Sequence, residues 1–343
     1  MVEPSTGKIL AMVSSPNFDP NTVEEQWSWL TSEENTTQNM MNHATQGTYP
    51  PGSTFKLITL LEYIRENPDT WQDFHYTCTG TYTNGDYVVN CHDGVAHGEL
   101  DIYGILGMSC NGAFDTIAQT LNSTKWQKLA EDFGYNQSDR SQVDFPYKKS
   151  HFDIALDDSV WSRMQLAIGQ GTTTVTPLLN LMMYAAIAND GVMMTPYLVD
   201  HYLDADGNVV EQTKPKALRS VCTKAEAELM DEFLTYVITN GTAAAGGSQY
   251  ARVSGKTGSA QYDSTKNYHA WFCGYGTNDV SEIAVCVMIE KGGAGGIVAA
   301  PVAGQIFDYY FSRLKKTLKL YAFSSILILY DARAEICPGQ NTP

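Results

Sequence analysis

Positive charge is scarce in this sequence. Lysine and arginine number 22 against 38 acidic residues, a net charge of −16 over 343 residues, and no basic cluster offsets it. A nucleic-acid partner demands a basic surface, so that class is excluded. An anionic substrate would need a locally basic site working against the overall field. A leader is also missing: Met1-Val2-Glu3-Pro4 offers neither a basic stretch nor an apolar run. The chain opens abruptly at a turn, which suggests that an upstream segment precedes it. No apolar run reaches bilayer length; Leu318 to Tyr330 is 13 residues and contains Lys319. It reads as a buried strand or an atypical tail, followed by an unstructured stretch from Asp331 to Pro343. The seven cysteines, at 78, 91, 110, 222, 273, 286 and 337, include no CxxC pair and outline no disulfide framework. Cys78 and Cys91 could bridge a loop in an oxidising compartment, or join His92 and His97 at a metal. The irregular spacing argues against the metal, and no metal or cofactor is expected.

What is present is globular. Apolar residues make up 43% and charged residues only 17%, and the length suffices for a large core. Ile9 to Ser15 reads as a buried strand stopped by Pro16 to Pro20. Thr22 to Asn42 is polar with paired tryptophans and suits short surface helices. Residues 71–98 read as a loop or small hairpin turning at Asn84-Gly85. A long helical pattern follows from Ala113 to Phe133. Pro177 to Ala188 is an apolar helix with proline in its first turn. Residues 192–212 suit a strand pair around Asp206-Gly207. A helix over about 223–239 opens at Thr223, with Glu226 at the capping-box position. Arg252 to Tyr262, Tyr268 to Gly276 and Ile283 to Glu290 are strand-like runs with short gaps, as antiparallel neighbours require. An apolar-striped helix from Pro301 to Arg313 closes the pattern. One domain built from both ends would enclose a mostly helical lobe. The glycines of Lys291 to Gly296 lack the strand, Gly-Lys-Ser/Thr and helix order of a nucleotide site and read as a mobile turn.

Three stretches carry candidate chemistry. In Pro50-Pro51-Gly52-Ser53-Thr54-Phe55-Lys56 the prolines and glycine forbid helix before Ser53, and an apolar run able to sustain one follows. Ser53 and Lys56 then share a face at a helix N-terminus. A lysine kept neutral there could take the serine's proton; on these residues alone, an N-capping serine beside a surface lysine fits equally well. Ser109-Cys110-Asn111 lies in a glycine-flanked loop before a helix, where side chains can face a ligand or merely cap the helix. Lys256-Thr257-Gly258-Ser259 lies in a strand-like run and suggests an anion-binding strand edge, or else an edge lysine with a bulge glycine.

In order and separation, with 56 residues from Ser53 to Ser109 and 147 more to Lys256, these stretches resemble the serine-x-x-lysine, serine-x-asparagine and lysine-threonine-glycine motifs of penicillin-binding proteins and serine β-lactamases. Gly7 to Met12, Ala44-Thr45-Gln46-Gly47, Gly169-Gln170-Gly171 with Thr176-Pro177, Ala188 to Gly191 and His269-Ala270-Trp271-Phe272 resemble the transpeptidase domain of the monofunctional, high-molecular-weight class B proteins. The resemblance covers residues 1 to about 316.

It implies an α/β fold of the β-lactamase/transpeptidase type: a five-stranded, mainly antiparallel sheet flanked by helices, plus a helical lobe, with the groove between them. The sheet part would span about 1–20 and 245–316, the lobe about 21–244, and 317–343 would be an atypical tail. The implied activity is peptidoglycan D,D-transpeptidation. Ser53 would attack the D-alanyl-D-alanine carbonyl of a stem peptide, and Lys56 would activate it. Ser109 would relay a proton to the leaving amine, and Asn111 would bond the peptide or Lys56. The backbone N–H groups of Ser53 and Ser259 would form the oxyanion hole, and Lys256, Thr257, Gly258 and Ser259 would bind the substrate's carboxylate end. Many relatives have threonine where Ser259 stands, so small changes in substrate preference are expected. β-Lactams are the implied inhibitors, and cell-wall synthesis proteins the implied partners. The implied location is the extracytoplasmic face of the bacterial membrane, in a longer parent with an anchor and a pedestal. The Glu-x-x-Leu-Asn arrangement of one β-lactamase class is absent, since Thr176 stands where its glutamate would be. An amine acceptor is therefore expected; a D,D-carboxypeptidase, a β-lactam sensor and a non-catalytic scaffold are the alternatives.

Overall fold

The computed structural model describes residues 1–91, 94–137, 143–263, 265 and 267–323, with side chains up to 313. The central sheet is antiparallel in the order β11-β10-β9, from β9 (Arg252–Gln261), β10 (Tyr268–Thr277) and β11 (Glu282–Ile289). Its register runs from Tyr268 opposite Gln261 to Thr277 opposite Arg252, and from Ala270 opposite Ile289 to Thr277 opposite Glu282. Beyond β11 two N-terminal segments add single bridges, Val2 to Ala284 and Ile9 to Val2, so five segments lie side by side. The expected buried strand over Ile9 to Ser15 does not form past Ile9. Leu10 N–H still donates to Met1 O and the Met1 amine to Ala11 O, but Leu10 and Val13 are exposed and no strand is formed there.

Helices pack both sheet faces and fill the remainder. After α1 (Val23–Leu30), whose Trp27 and Trp29 are exposed, come α2 (Lys56–Glu66), the pair β1 (His75–Cys78) and β4 (Gly98–Asp101), and between them the hairpin β2 (Thr81–Asn84) and β3 (Tyr87–Asn90). Gly85 takes the left-handed conformation that the hairpin turn needs. Next are α3 (Ile102–Gly107), α4 (Asn111–Ala118) and α5 (Ser123–Asp132). The single helix expected from Ala113 to Phe133 is thus two. Asn122 breaks it: its side chain caps α5 by accepting from Lys125 N, and its own N–H is held by the Glu66 carboxylate.

Farther on lie α6 (Val160–Ala167), α7 (Pro177–Ala188), β5 (Val192–Met194), β6 (His201–Leu203), β7 (Val209–Gln212), β8 (Ala217–Ser220) and α8 (Lys224–Asn240). The pair around Asp206-Gly207 is β6 with β7, whereas β5 pairs with β8. Helix α9 (Gly295–Phe323) starts six residues before the expected Pro301 and carries that proline inside it. It also takes in residues 318–323 of the presumed strand or tail, and the remainder of that tail lies outside the described residues. The first turn of α9 is pressed on the sheet: a Cβ on Gly295 would come within 2.3 Å of Gly258 O and 2.4 Å of Trp271 O. That glycine lets the helix start against the sheet.

No helix among the described residues is long and apolar enough to cross a membrane. One buried cluster runs through sheet and helices, from Val2 and Phe55 through Trp126 and Phe152 to Trp271, Phe307 and Phe311.

Helix α8 carries the full capping box, Thr223 Oγ1 accepting from Glu226 N and the Glu226 carboxylate accepting from Thr223 N. Thr223→Ala should lower stability by about 1 kcal/mol in denaturant unfolding, with no change in the slope of the transition.

Candidate active site

Proline and glycine at 50–52 force a turn, and residues Gly52–Phe55 coil as a short 3-10 helix that runs directly into α2. Every side of this turn is fixed. Gly52 N–H donates to Gly169 O at 2.9 Å, and Thr54 Oγ1 donates to Pro51 O. Asn180 Nδ2 donates to Thr54 Oγ1 and Tyr184 OH to Thr54 O. Trp271 Nε1, from the central strand, donates to Pro50 O at 3.1 Å. Gly52 is left-handed, and a Cβ there would lie 3.0 Å from Ala260 Cβ and 3.3 Å from Ala260 N. A Cβ on Gly258 would lie 3.0 Å from Pro51 O. The turn bearing Ser53 is therefore pressed on the outer edge of β9, the strand bearing Lys256 to Ser259. Gln170 holds the next stretch of that edge; its amide, turned to suit its neighbours, pairs with both N and O of Gln261.

Lys56, first residue of α2, is wholly buried. Its Nζ donates to Ser109 O at 2.8 Å, Ser109 Oγ at 3.3 Å and Asn111 Oδ1 at 2.6 Å, and it lies 5.1 Å from the centre of the Phe114 ring. Burial lowers its pKa to about 8, while the Cys110 and Cys91 thiols and Asp115 pull the other way. The surface lysine that the motif alone allowed is excluded. Neither Ser109 nor Asn111 caps the helix through its side chain: Cys110 occupies the N-cap position of α4 without a side-chain bond. Asn111 instead bridges, accepting from Lys56 and donating from Nδ2 to Asn90 O of the hairpin. Ser109 is in the left-handed region at φ 55°, a costly conformation for a residue with a side chain.

On β9, Lys256 is also wholly buried, and its Nζ donates to Thr257 O. Burial, then repulsion from Lys56, holds its pKa well below the ordinary lysine range. Thr257 Oγ1 and Thr242 Oγ1 lie 2.9 Å apart. Ser259 Oγ accepts from Gly295 N, which leaves its own proton free to donate to an anion. Ser53, Ser109, Asn111 and Ser259 are half-exposed around these two buried amines. Among the described residues Ser53 Oγ has no hydrogen-bond partner. Thr176 caps α7 by accepting from Leu179 N, so no acidic group stands at that position.

Two features escaped the sequence reading. Asp115, one turn beyond Asn111, is fully buried with both carboxylate oxygens unpaired, and burial raises its pKa well above the carboxylate range against the pull of Lys56. Cys91 and Cys110 approach each other directly behind Asn111. Aspartate in a helix reads as surface, and cysteines 19 residues apart carry no pairing signal.

Comparison with known proteins gives a consistent result. The family model described as penicillin binding protein transpeptidase domain matches residues 1–308. The peptidoglycan D,D-transpeptidase PbpA of Mycolicibacterium smegmatis is 28% identical over 319 residues, covering 88% of this chain and 64% of its own length. The peptidoglycan D,D-transpeptidase MrdA of Acinetobacter baumannii is 29% identical over 342 residues, covering 92% and 50%. The chain thus spans about half to two thirds of the length of these relatives. The ceftriaxone acyl-enzyme complex of penicillin-binding protein A from M. tuberculosis superposes with a TM-score of 0.79 at 27% identity, over 88% of this chain and 71% of that one.

Gly169 is left-handed, and a Cβ there would lie 2.2 Å from Gly52 O. Gly169→Ala should cost about 2–3 kcal/mol in chemical unfolding. The steric part of that loss should be absent at the open Gly207, where a Cβ would meet no atom within 4 Å.

Proposed function

The chain belongs to the penicillin binding protein transpeptidase domain family, and on that footing we propose that it is a peptidoglycan D,D-transpeptidase, cross-linking stem peptides through an acyl-enzyme on Ser53. The observation that carries the reading is the buried amine of Lys56, one turn past Ser53 and held by Ser109 and Asn111.

The chemistry follows from that arrangement. As an ammonium, Lys56 has three N–H groups for three acceptors. As a neutral amine it has a lone pair to offer and can take a proton from Ser53 as the hydroxyl attacks the carbonyl between the two D-alanines. Ser109 Oγ, bonded to Lys56, passes that proton to the departing D-alanine amine. Developing negative charge on the carbonyl oxygen meets the backbone N–H groups of Ser53 and Ser259, on segments that Gly52 and Ala260 bring into contact. Lys256 with the hydroxyls of Thr257 and Ser259 receives the terminal carboxylate, and Gly258 lets the strand edge approach closely. A second stem peptide's amine then attacks the ester and restores Ser53. No acidic residue at position 176 is available to activate water, which favours the amine as acceptor.

The groove lies between a sheet part, about 1–20 with 245–316, and a helical lobe over about 21–244. β-Lactams acylate the same serine. The working location is the outer face of the bacterial membrane within a longer parent, with other cell-wall synthesis proteins as partners.

A fluorescent penicillin should label the chain covalently, and Ser53→Ala should abolish labelling; persistent labelling of that variant would reject Ser53 as nucleophile. Lys56→Ala should slow acylation by at least about 100-fold. The rate should rise with pH through about 8 and then level, because the neutral amine is the active form and burial lowers its pKa to that value. A flat profile between pH 6 and about 10 would remove Lys56 as the base. With a D-Ala-D-Ala peptide and an amine acceptor, mass spectrometry should find the cross-linked product. Hydrolysed product alone would indicate a D,D-carboxypeptidase, and acylation by penicillin without D-alanine release a sensor.

A further inference from the structure

Next to Ser109 and Asn111, three chain segments bring together four side chains that the acyl-transfer reading does not use. Cys78 ends β1, Cys91 follows β3, His97 precedes β4, and Cys110 is the middle residue of Ser109-Cys110-Asn111. One ligand atom from each lies within 4.8 Å of all the others. We infer that Cys78, Cys91, His97 and Cys110 form a closed, four-coordinate site for a zinc ion, which fastens the hairpin to the loop carrying Ser109 and Asn111.

The spacing carries the first part of the argument. Zinc–sulfur bonds are about 2.3 Å long, so two sulfurs at corners of a tetrahedron around zinc stand about 3.8 Å apart. Cys78 Sγ and Cys91 Sγ are 3.6 Å apart, and Cys91 Sγ and Cys110 Sγ 3.8 Å. A disulfide joins two sulfurs at about 2.05 Å and would leave the third unpaired. Here Cys91 is shared between two partners at nearly equal distance, as a common central ion would place it.

The second part comes from the histidine. Thiols alone can pack as small apolar groups. An imidazole nitrogen cannot, and His97 Nδ1 is buried with no hydrogen-bond partner among the described residues. Such an orphan costs about 1–3 kcal/mol unless something absent from the protein chain satisfies it. All three cysteines are buried, with exposures of 3% or less, and water is a poor candidate among three sulfurs.

The surroundings suit thiolates. Gly80 N–H points to Cys78 Sγ at 3.4 Å. The N–H groups of Asn111 and Gly112 face Cys91 and that of Ala113 faces Cys110, so the N-terminus of α4 presents its unpaired donors to the sulfurs. Three soft sulfurs and an imidazole in a closed tetrahedral set select zinc over magnesium or calcium. Binding releases the thiol protons to solvent and leaves three thiolates and a dication, a net charge of −1. No oxidant or reductant takes part. His92, grouped with Cys78, Cys91 and His97 in the sequence reading, lies outside the described residues; Cys110 is the ligand that reading missed.

The test uses the whole chain, purified with reductant, exposed to zinc and freed of excess. Elemental analysis should find about one zinc per chain. Cobalt(II) in its place should give the strong sulfur-to-metal charge-transfer and intense visible bands of a tetrahedral thiolate site. His97→Ala, a change in a half-exposed loop, should weaken zinc at least about tenfold in chelator competition, and Cys78→Ser should do the same. If Cys78→Ser fails to fold, the cobalt spectrum of the unmutated chain decides alone. Less than about a tenth of an equivalent of zinc, or only the weak bands of octahedral cobalt, would overturn the site. So would a Cys78–Cys91 disulfide, read as a two-hydrogen mass loss, that takes up no zinc once reduced. Because metal is the readout, the outcome is separate from that of the acyl-transfer reading.

Discussion

The constraint on which the rest depends is the burial of two lysine amines, those of Lys56 and Lys256, within reach of each other's charge. Removing one ammonium from water is expensive, and placing a second nearby adds repulsion. The fold accommodates this by offering the Lys56 amine three oxygen partners and by leaving Lys256 only a backbone carbonyl among the described residues. Burial nevertheless biases both amines toward neutrality, Lys56 to a pKa of about 8 and Lys256, with repulsion from Lys56 added, well below the ordinary lysine range. A base is useful at neutral pH only if it is poised in this way. The left-handed Ser109 and the unpaired Asp115 are strains within the same small volume, held by the well-packed shell around them.

Much of this was legible in the sequence because the chemistry is written in short local patterns. Proline and glycine before Ser53, lysine one turn later, and glycine inside a strand each have a direct conformational meaning. The three long strands, the α8 capping box and the Asn84-Gly85 turn were legible for the same reason: their signals lie within a few residues. What failed was non-local. Ile9 to Ser15 has the composition of a strand, yet Leu10 and Val13 are exposed and its backbone bonds to Met1 go no further than Ala11. The helical periodicity across 113–133 conceals a break that depends on Glu66, far away in sequence, gripping the N–H of Asn122. The sulfur cluster draws on residues spread over 33 positions, from Cys78 to Cys110, and only the hairpin's return brings them together.

The family assignment and the geometry also divide the labour. Belonging to the transpeptidase family says what kind of reaction the fold can host. The individual contacts say how this chain would do it: which acceptors steady Lys56, which glycines let the turn meet β9, and which hydroxyl keeps a free proton. Ser259, with its oxygen engaged by Gly295 N, keeps that proton without the extra methyl of a threonine.

Most of the bonds that fix the Ser53 turn reach it from far along the chain. Asn180 and Tyr184 lie 126 and 130 positions from Thr54, and Trp271 lies 221 positions from Pro50. Closing loops of that size carries its entropic cost before any contact rewards it. The geometry of the Ser53 turn therefore depends on tertiary contacts, from α7 and from the central strand, and not on local sequence alone. A chain with all its helices formed but α7 and the central strand undocked would still lack the bonds that shape this turn, so helix content alone is a poor measure of whether the turn is in place.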